Sequence, residues 1–343
     1  MSAEVSAPAS APGNGASRSR PGGRDRLLAV MQRRQGGVNP GLLGALILLF
    51  VGLSVFSPYF FDSKNLLNIG RAISIVGIAS VGETIVIISG GFDLSIGSVM
   101  AASGMLSAFL IGLGTPLPVA FAASIVMGTL VGLANGAIIG YARINPLITT
   151  LATLSIVRGL SYVLSGGQEI VVHDPTWIAI GTETFAYVPY IVLVLLVTFL
   201  VSSLVMPRTL FGRYAYAIGS SARAARLAGV AVDRWRMAFY LTCGGLSALA
   251  GLVTVSRIGY AQPSANMGIE LDVITAVILG GTSLNGGRGA LAGTLVGLVL
   301  IGVINNGLTL VGVPAYWQLV VKGSILLAAV LYDELRRTRR DET

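Results

Sequence analysis

The chain has 343 residues, 54% of them hydrophobic and 11% charged, with a net charge of +8 and a mean hydropathy of +0.79. A soluble domain carries about 25% charged residues, so this chain has too few to cover a water-facing surface, and a bilayer is the solvent that fits. The positive charge does not point to nucleic acid, because the arginines sit in tails and loops between apolar runs, as the positive-inside rule expects.

In chain order, residues 1–38 are rich in Ala, Ser, Pro, Gly and Arg and read as a disordered basic tail. The first apolar run, Leu42 to Phe56, lacks the short core and small-residue cleavage site of a signal peptide and reads as a retained membrane helix. Further runs follow at 72–90, 95–113, 117–140, 147–165, 187–206, 237–256, 271–284, 290–310 and 315–332. Crossing the hydrocarbon takes about 20 apolar residues as helix, so the chain reads as an all-α polytopic membrane protein of about ten spans, with 39–333 as its membrane domain. The 271–284 run is short enough for a broken or re-entrant helix.

Charge sets the orientation. Arg18, Arg20, Arg24, Arg26, Arg33 and Arg34 hold the N-terminus in the cytoplasm, and counting spans places the 207–236 loop, with its six arginines, on the same side. The 334–343 tail also falls inside, whereas the 166–186 loop falls outside and carries no Lys or Arg.

Gly128, Gly132, Gly136 and Gly140 share one helix face, a small-xxx-small stripe for close helix packing, and Gly289, Gly293 and Gly297 form a similar one. Residues 88–97 echo residues 278–287, both with a Gly-Gly pair. A rival offset matches 128–133 to 293–298, so an internal duplication is one of two competing readings. Transporters are often built from repeats with Gly-interrupted helices lining the route.

Motifs for chemistry are sparse. There is no G-x-x-x-x-G-K-[S/T] loop, since the only lysines are Lys64 and Lys322, and His173 is the only histidine. Cys243 stands alone, which excludes an intrachain disulfide and leaves no metal pattern. The reading is therefore a transport subunit, not an enzyme. Glu83 and Asp93 lie in or beside apolar runs, where a charge is costly unless paired or wetted. Asp93, with Phe92 and Ser95 in the Gly90–Ser95 break, either lines a substrate pathway or caps the helix that follows. Asn135, Asn305 and Asn306 are amides within apolar helices, suited to hydroxylated substrates or to helix–helix bonding. In the 207–236 loop, Ser220 or Ser221 can cap a short basic helix that ends at Gly229, a docking element for a partner.

Four segments carry a resemblance: Thr209–Gly219 followed by Ala224–Gly229, Ser89–Ser98, Ile144–Thr153 and Val277–Gly289. Together they resemble the ABC transporter permeases of the ribose/galactose/arabinose type, over about residues 42–333. Branched-chain amino-acid permeases share the layout but read differently in the cytoplasmic loop. The resemblance implies an ATP-driven sugar importer in the bacterial cytoplasmic (inner) membrane, carrying a monosaccharide or polyol. Its expected partners are a cytoplasmic ATPase subunit, an extracytoplasmic sugar-binding protein and a second permease copy or paralogue. No cofactor is expected on this chain, ATP and magnesium belonging to the ATPase. The residues expected to meet that ATPase are Gly212, Arg213, Gly219, Ala224, Ala225, Arg226 and Gly229. Two departures stand out: a longer basic N-terminal tail, and Ser220-Ser221-Ala222-Arg223 in place of the usual Gly-Asn and acidic residues. The alternative reading is a secondary transporter using Glu83 or Asp93 as a proton relay.

Overall fold

A computed structural model describes residues 40–341; the expected N-terminal tail lies outside them. Among the described residues there are thirteen α-helices and four two-residue strands. Every apolar run of the sequence falls on a helix: α1 (Pro40–Phe56), α2 (Ser63–Ile88), α3 (Ile96–Gly112), α4 (Leu117–Ala137), α5 (Pro146–Ser165), α7 (Tyr190–Arg208), α10 (Val232–Ile258), α11 (Ile269–Leu279), α12 (Leu291–Leu310) and α13 (Ala315–Asp341). The remaining three are α6 (Pro175–Thr182), α8 (Leu210–Ser220) and α9 (Ala222–Leu227).

Six helices (α2, α4 with its extension, α5, α7, α10 and α12) are long and apolar enough to cross a membrane. Helices α1, α3 and the apolar part of α13 are shorter, and α11 has only 11 residues. At 1.5 Å per residue α11 is ~16 Å long, about half of a ~30 Å hydrocarbon core. The short 271–284 run is thus a half-length helix followed by a break.

Local chemistry sets the boundaries. Asp62 caps α2 by accepting from Lys64 N at 2.9 Å, which starts the helix at Ser63 rather than at 72. Asn145 caps α5 through Leu147 N at 2.8 Å, with Pro146 in the first turn, and Gly166 ends it at φ 61°. Helix α4 runs on through a π-helical turn, Ile138–Ala142, that closes with Arg143 at φ 57°. Helix α13 continues to Asp341, so most of the expected 334–343 tail is helical.

The core is built on α10, which packs against α4, α2 and α3. Its contact with α4 is backbone to backbone. A Cβ on Gly128 would stand 2.7 Å from Gly244 O, on Gly132 2.1 Å from Tyr240 O, and on Gly136 2.6 Å from Met237 Cα. The second stripe is shorter than expected: Gly293 and Gly297 meet Gly280 O and Ala276 O of α11, but Gly289 lies in the loop before α12. At the opposite end from the basic loop, β1 (Ile170–Val171) pairs with β4 (Tyr260–Ala261). There Asp174 caps α6 through Trp177 N, and the indole donates to Leu252 O at 3.0 Å.

Candidate functional site

Two helices break at the arginine-rich end, beside the 207–236 loop. Helix α2 ends with Gly90 N bonded to Ile87 O, Gly91 N to Val86 O and Gly90 at φ 82°. Helix α11 ends the same way, with Gly281 N on Ile278 O, Thr282 N on Val277 O and Gly281 at φ 88°. The equivalent positions are Gly90 and Gly281, one residue out of register with the 88–97/278–287 echo, which aligns Gly90 with Gly280. The break after α2 spans 89–95 and that after α11 spans 280–290.

The first break is held by buried side chains. Asp93 N donates to Glu83 Oε1 at 3.2 Å, and the Asp93 carboxylate accepts from Ser95 N at 2.9 Å and Ser95 Oγ at 2.5 Å. Asn135 Nδ2 reaches Ser95 Oγ at 3.1 Å and Thr153 Oγ1 donates to Asn135 Oδ1 at 2.6 Å. Glu83, Asp93, Ser95 and Asn135 are all essentially fully buried. A polar chain therefore runs from α2 through the break to α4 and α5, with each link satisfying a group whose burial alone would be unfavourable. Asp93 takes the backbone N–H of Ser95, the residue preceding α3, and so orders the start of that helix while joining the network. Tyr240 of α10 fastens the break from the other side, its hydroxyl accepting from Phe92 N at 3.1 Å and donating to Phe92 O at 2.9 Å.

Three of the expected pathway residues, Asp93, Ser95 and Asn135, come together, with the Phe92 backbone beside them. Asn305 and Asn306 do not. Asn306 exchanges two hydrogen bonds with Asn65, at 3.1 and 2.7 Å, and so ties α12 to α2. Asn305 lies beside Asp272, whose carboxylate pairs with Lys322 at 2.6 Å. Sequence reasoning missed Tyr240, Thr153 and the place of Cys243, whose thiol lies 3.9 Å from Glu83 Oε2. A tyrosine or threonine in an apolar helix carries no signal of a partner about 150 or 18 residues away.

The basic 207–236 loop is wedged between the two breaks. Gly219 lies in the last turn of α8, where a Cβ would stand 1.9 Å from Ile88 O and 2.5 Å from Gly287 N. Gly287 N itself bonds Ile88 O at 2.8 Å. Tyr216 donates its hydroxyl to Gly289 O at 2.9 Å, and burial raises its phenol pKa, which keeps the donor protonated. Ser221 caps α9 through Ala224 N at 3.2 Å, and Gly229 follows at φ 83°.

The residues expected to meet a partner divide accordingly. Gly212 packs on Met206 O, Gly219 fills the junction of the breaks, and Ala225 is buried in this chain's own core. Arg226 is paired with Asp233 at 2.5 Å. Arg213, Ala224 and Gly229 are exposed, as is Leu227 at 84%, a leucine the sequence reading had not singled out.

A family model described as branched-chain amino acid transport system / permease component matches residues 65–330. The chain is 38% identical over 299 residues to the ribose import permease protein RbsC of Escherichia coli K12, covering 85% of this chain and 92% of that protein. It is 40% identical over 293 residues to the Bacillus subtilis protein of the same name, covering 85% and 91%. It is 38% identical over 297 residues to the L-arabinose transport system permease protein AraH of Escherichia coli K12, covering 87% and 90%. No solved structure matches. The family description names amino acids and these relatives name pentoses, as expected where two branches share one layout. With the match spanning the body from α2 to α13, the chain belongs to the family of branched-chain amino acid transport system / permease components.

Proposed function

We propose that this chain is the membrane-spanning permease subunit of an ATP-driven sugar importer, paired with a second permease copy and served by a cytoplasmic ATPase and an extracytoplasmic binding protein. The relatives named for ribose and L-arabinose support the substrate class. The observation that carries the energy coupling is the seat of Gly219 against Ile88 O and Gly287 N, because a push on α8 and α9 bears on both helix breaks at once. ATP and magnesium belong to the partner in this reading. Nucleotide-driven closure of the ATPase pair moves the loop, the breaks shift, and the permease alternates its access. A ligand biases such an equilibrium only by its differential affinity for the two states.

The docking surface in this reading is Arg213, Arg223, Ala224 and Leu227, all exposed. The test is an affinity pull-down from solubilised membranes with Ala224→Glu and Leu227→Glu. Loss of a co-purifying ATPase in these variants alone supports the reading; unchanged recovery in both removes the docking surface. Ala225→Glu is the control for misfolding, since that side chain points into the core.

Proton-coupled transport is the second reading, favoured by Glu83 and Asp93 lying side by side in a buried network. Uptake that collapses with an uncoupler while ATP stays high would establish it.

A further inference from the structure

The half-length α11 leaves its first turn inside the membrane. Its last turn is level with the start of α12, because Gly293 abuts Gly280 O, so its N-terminus stops well short of the outer surface. The chain reaches that depth through an irregular segment, 262–268, between β4 and α11. Irregular backbone at membrane depth is tolerated where it is buried in protein or lines a wet cavity.

Polar groups gather around this turn. Arg158, on α5, donates Nη1 to Pro263 O at 2.6 Å and to Ala265 O at 2.7 Å, which pins the segment. Glu270 accepts from Gly268 N at 3.3 Å through Oε1, but its Oε2 is buried with no partner. Arg158 and Glu270 attract one another yet form no direct ion pair; the ion pairs among the described residues are Arg226–Asp233 and Lys322–Asp272. Asp272 is thus already neutralised and leaves Glu270 as the acid facing Arg158. Gly97 of α3 packs closely against this turn, since a Cβ there would come within 2.6 Å of both Glu270 Oε2 and Asn266 O. Gln262 is exposed and Asn266 half-buried on the same segment, and no hydrogen bond from the described residues reaches either side chain.

We propose that Arg158, Glu270, Gln262 and Asn266 form the station at which the permease recognises its cargo, a neutral polyhydroxylated molecule of the sugar or polyol class. The two charges sum to zero, so a charged cargo would leave one of them uncompensated in a medium of low dielectric. A cargo hydroxyl matches both groups: it can donate to the Glu270 oxygen that has no partner and accept from the guanidinium N–H groups not bonded to Pro263 O and Ala265 O. The two amides supply further donors and acceptors of the kind that orient a small ligand. The station is separate from the Asp93 network and rests on the sugar-importer reading above.

The test uses the complete importer in proteoliposomes, with ribose, L-arabinose, a hexose and a cyclic polyol as probes and leucine as the amino-acid control. Asn266→Gly removes the amide while keeping the left-handed backbone that Asn266 adopts at φ 58°. With Gln262→Ala it deletes side chains that hold nothing else in the chain. Each is expected to lower maximal uptake about threefold, the equivalent of one hydrogen bond in a membrane interior, and to change the ratio between two carried sugars. Glu270→Gln is expected to lower it about tenfold, with binding-protein-stimulated ATP hydrolysis retained. Native rates and ratios in both amide variants overturn the proposal. So does an equal fall for every sugar in Glu270→Gln with both amide variants native, which would leave the cluster as a support for the segment. Failure of the native complex to carry any sugar or polyol is a different result: it removes the importer reading, and this station with it.

Discussion

The breaks after α2 and after α11 end their helices with the same hydrogen-bond pattern but are consolidated by opposite means. The first is filled with side chains: Asp93, Ser95, Asn135 and Tyr240 bond across it. The second is filled with backbone. Gly280, Gly286, Gly287 and Gly289 lie against neighbouring main chain or against Ser220 and Thr282 at distances that admit no Cβ. A break of the first kind can lose one bond and relax locally. A break of the second kind has only a few short side chains beside its main-chain contacts, so a small change there is transmitted.

That contrast can be broken most forcefully at the point where the breaks meet. Gly219→Val would place a branched side chain on Ile88 O and Gly287 N. It should destabilise the fold by about 3 kcal/mol and abolish uptake, read as the unfolding midpoint in detergent and transport in vesicles. Native behaviour would show that the junction opens freely.

Tyr240→Phe removes both bonds to Phe92 from the first break and leaves two backbone groups unsatisfied. A loss of about 2 kcal/mol is expected, measured by the same unfolding midpoint. A loss as large as that of Gly219→Val would erase the distinction between the two breaks.

Asp93→Asn sharpens the comparison, because an amide oxygen can still accept from Ser95 N and Oγ. Stability should change by less than about 1 kcal/mol. Uptake by the intact complex then reports on the charge alone; unchanged uptake leaves Asp93 as the organiser of the α3 start.

Asn306→Ala touches neither break. It should cost about 0.6 kcal/mol, the usual worth of an interhelical bond in a membrane, and leave the uptake rate near native. A transport defect with normal abundance would draw the Asn65–Asn306 pair into the mechanism.

The helical body was legible because hydropathy reports the solvent, and each of the ten apolar runs lies on a helix. The Gly128–Gly140 stripe and the Ser221 cap could also be read directly, since both rest on residues close in sequence. Helix α6 was missed, as its 8 residues lie in what reads as an outer loop. The single helix expected in the basic loop is preceded by α8, whose glycines at 212 and 219 were expected to meet a partner and instead pack on this chain's own backbone. Among the candidate site residues, Asp93, Ser95 and Asn135 share one hydrogen-bonded network, and Asn305 and Asn306 lie apart from it. Tyr240 and Thr153 were invisible because their partners lie on other helices. The inward facing of Ala225 was equally hidden, since composition marks a small face without saying what covers it.

The contact of α4 with α10 limits how the molecule can move. Packed helices usually shear as their side chains hop between neighbouring arrangements. Along Gly128, Gly132 and Gly136 the glycines meet α10 through its main chain and the Ala248 methyl, which has no rotamers to exchange. The two helices therefore behave as one beam, and in the proposed alternating cycle the pivots fall where helices are interrupted: at Gly90, at Gly281 and at the segment that leads into α11.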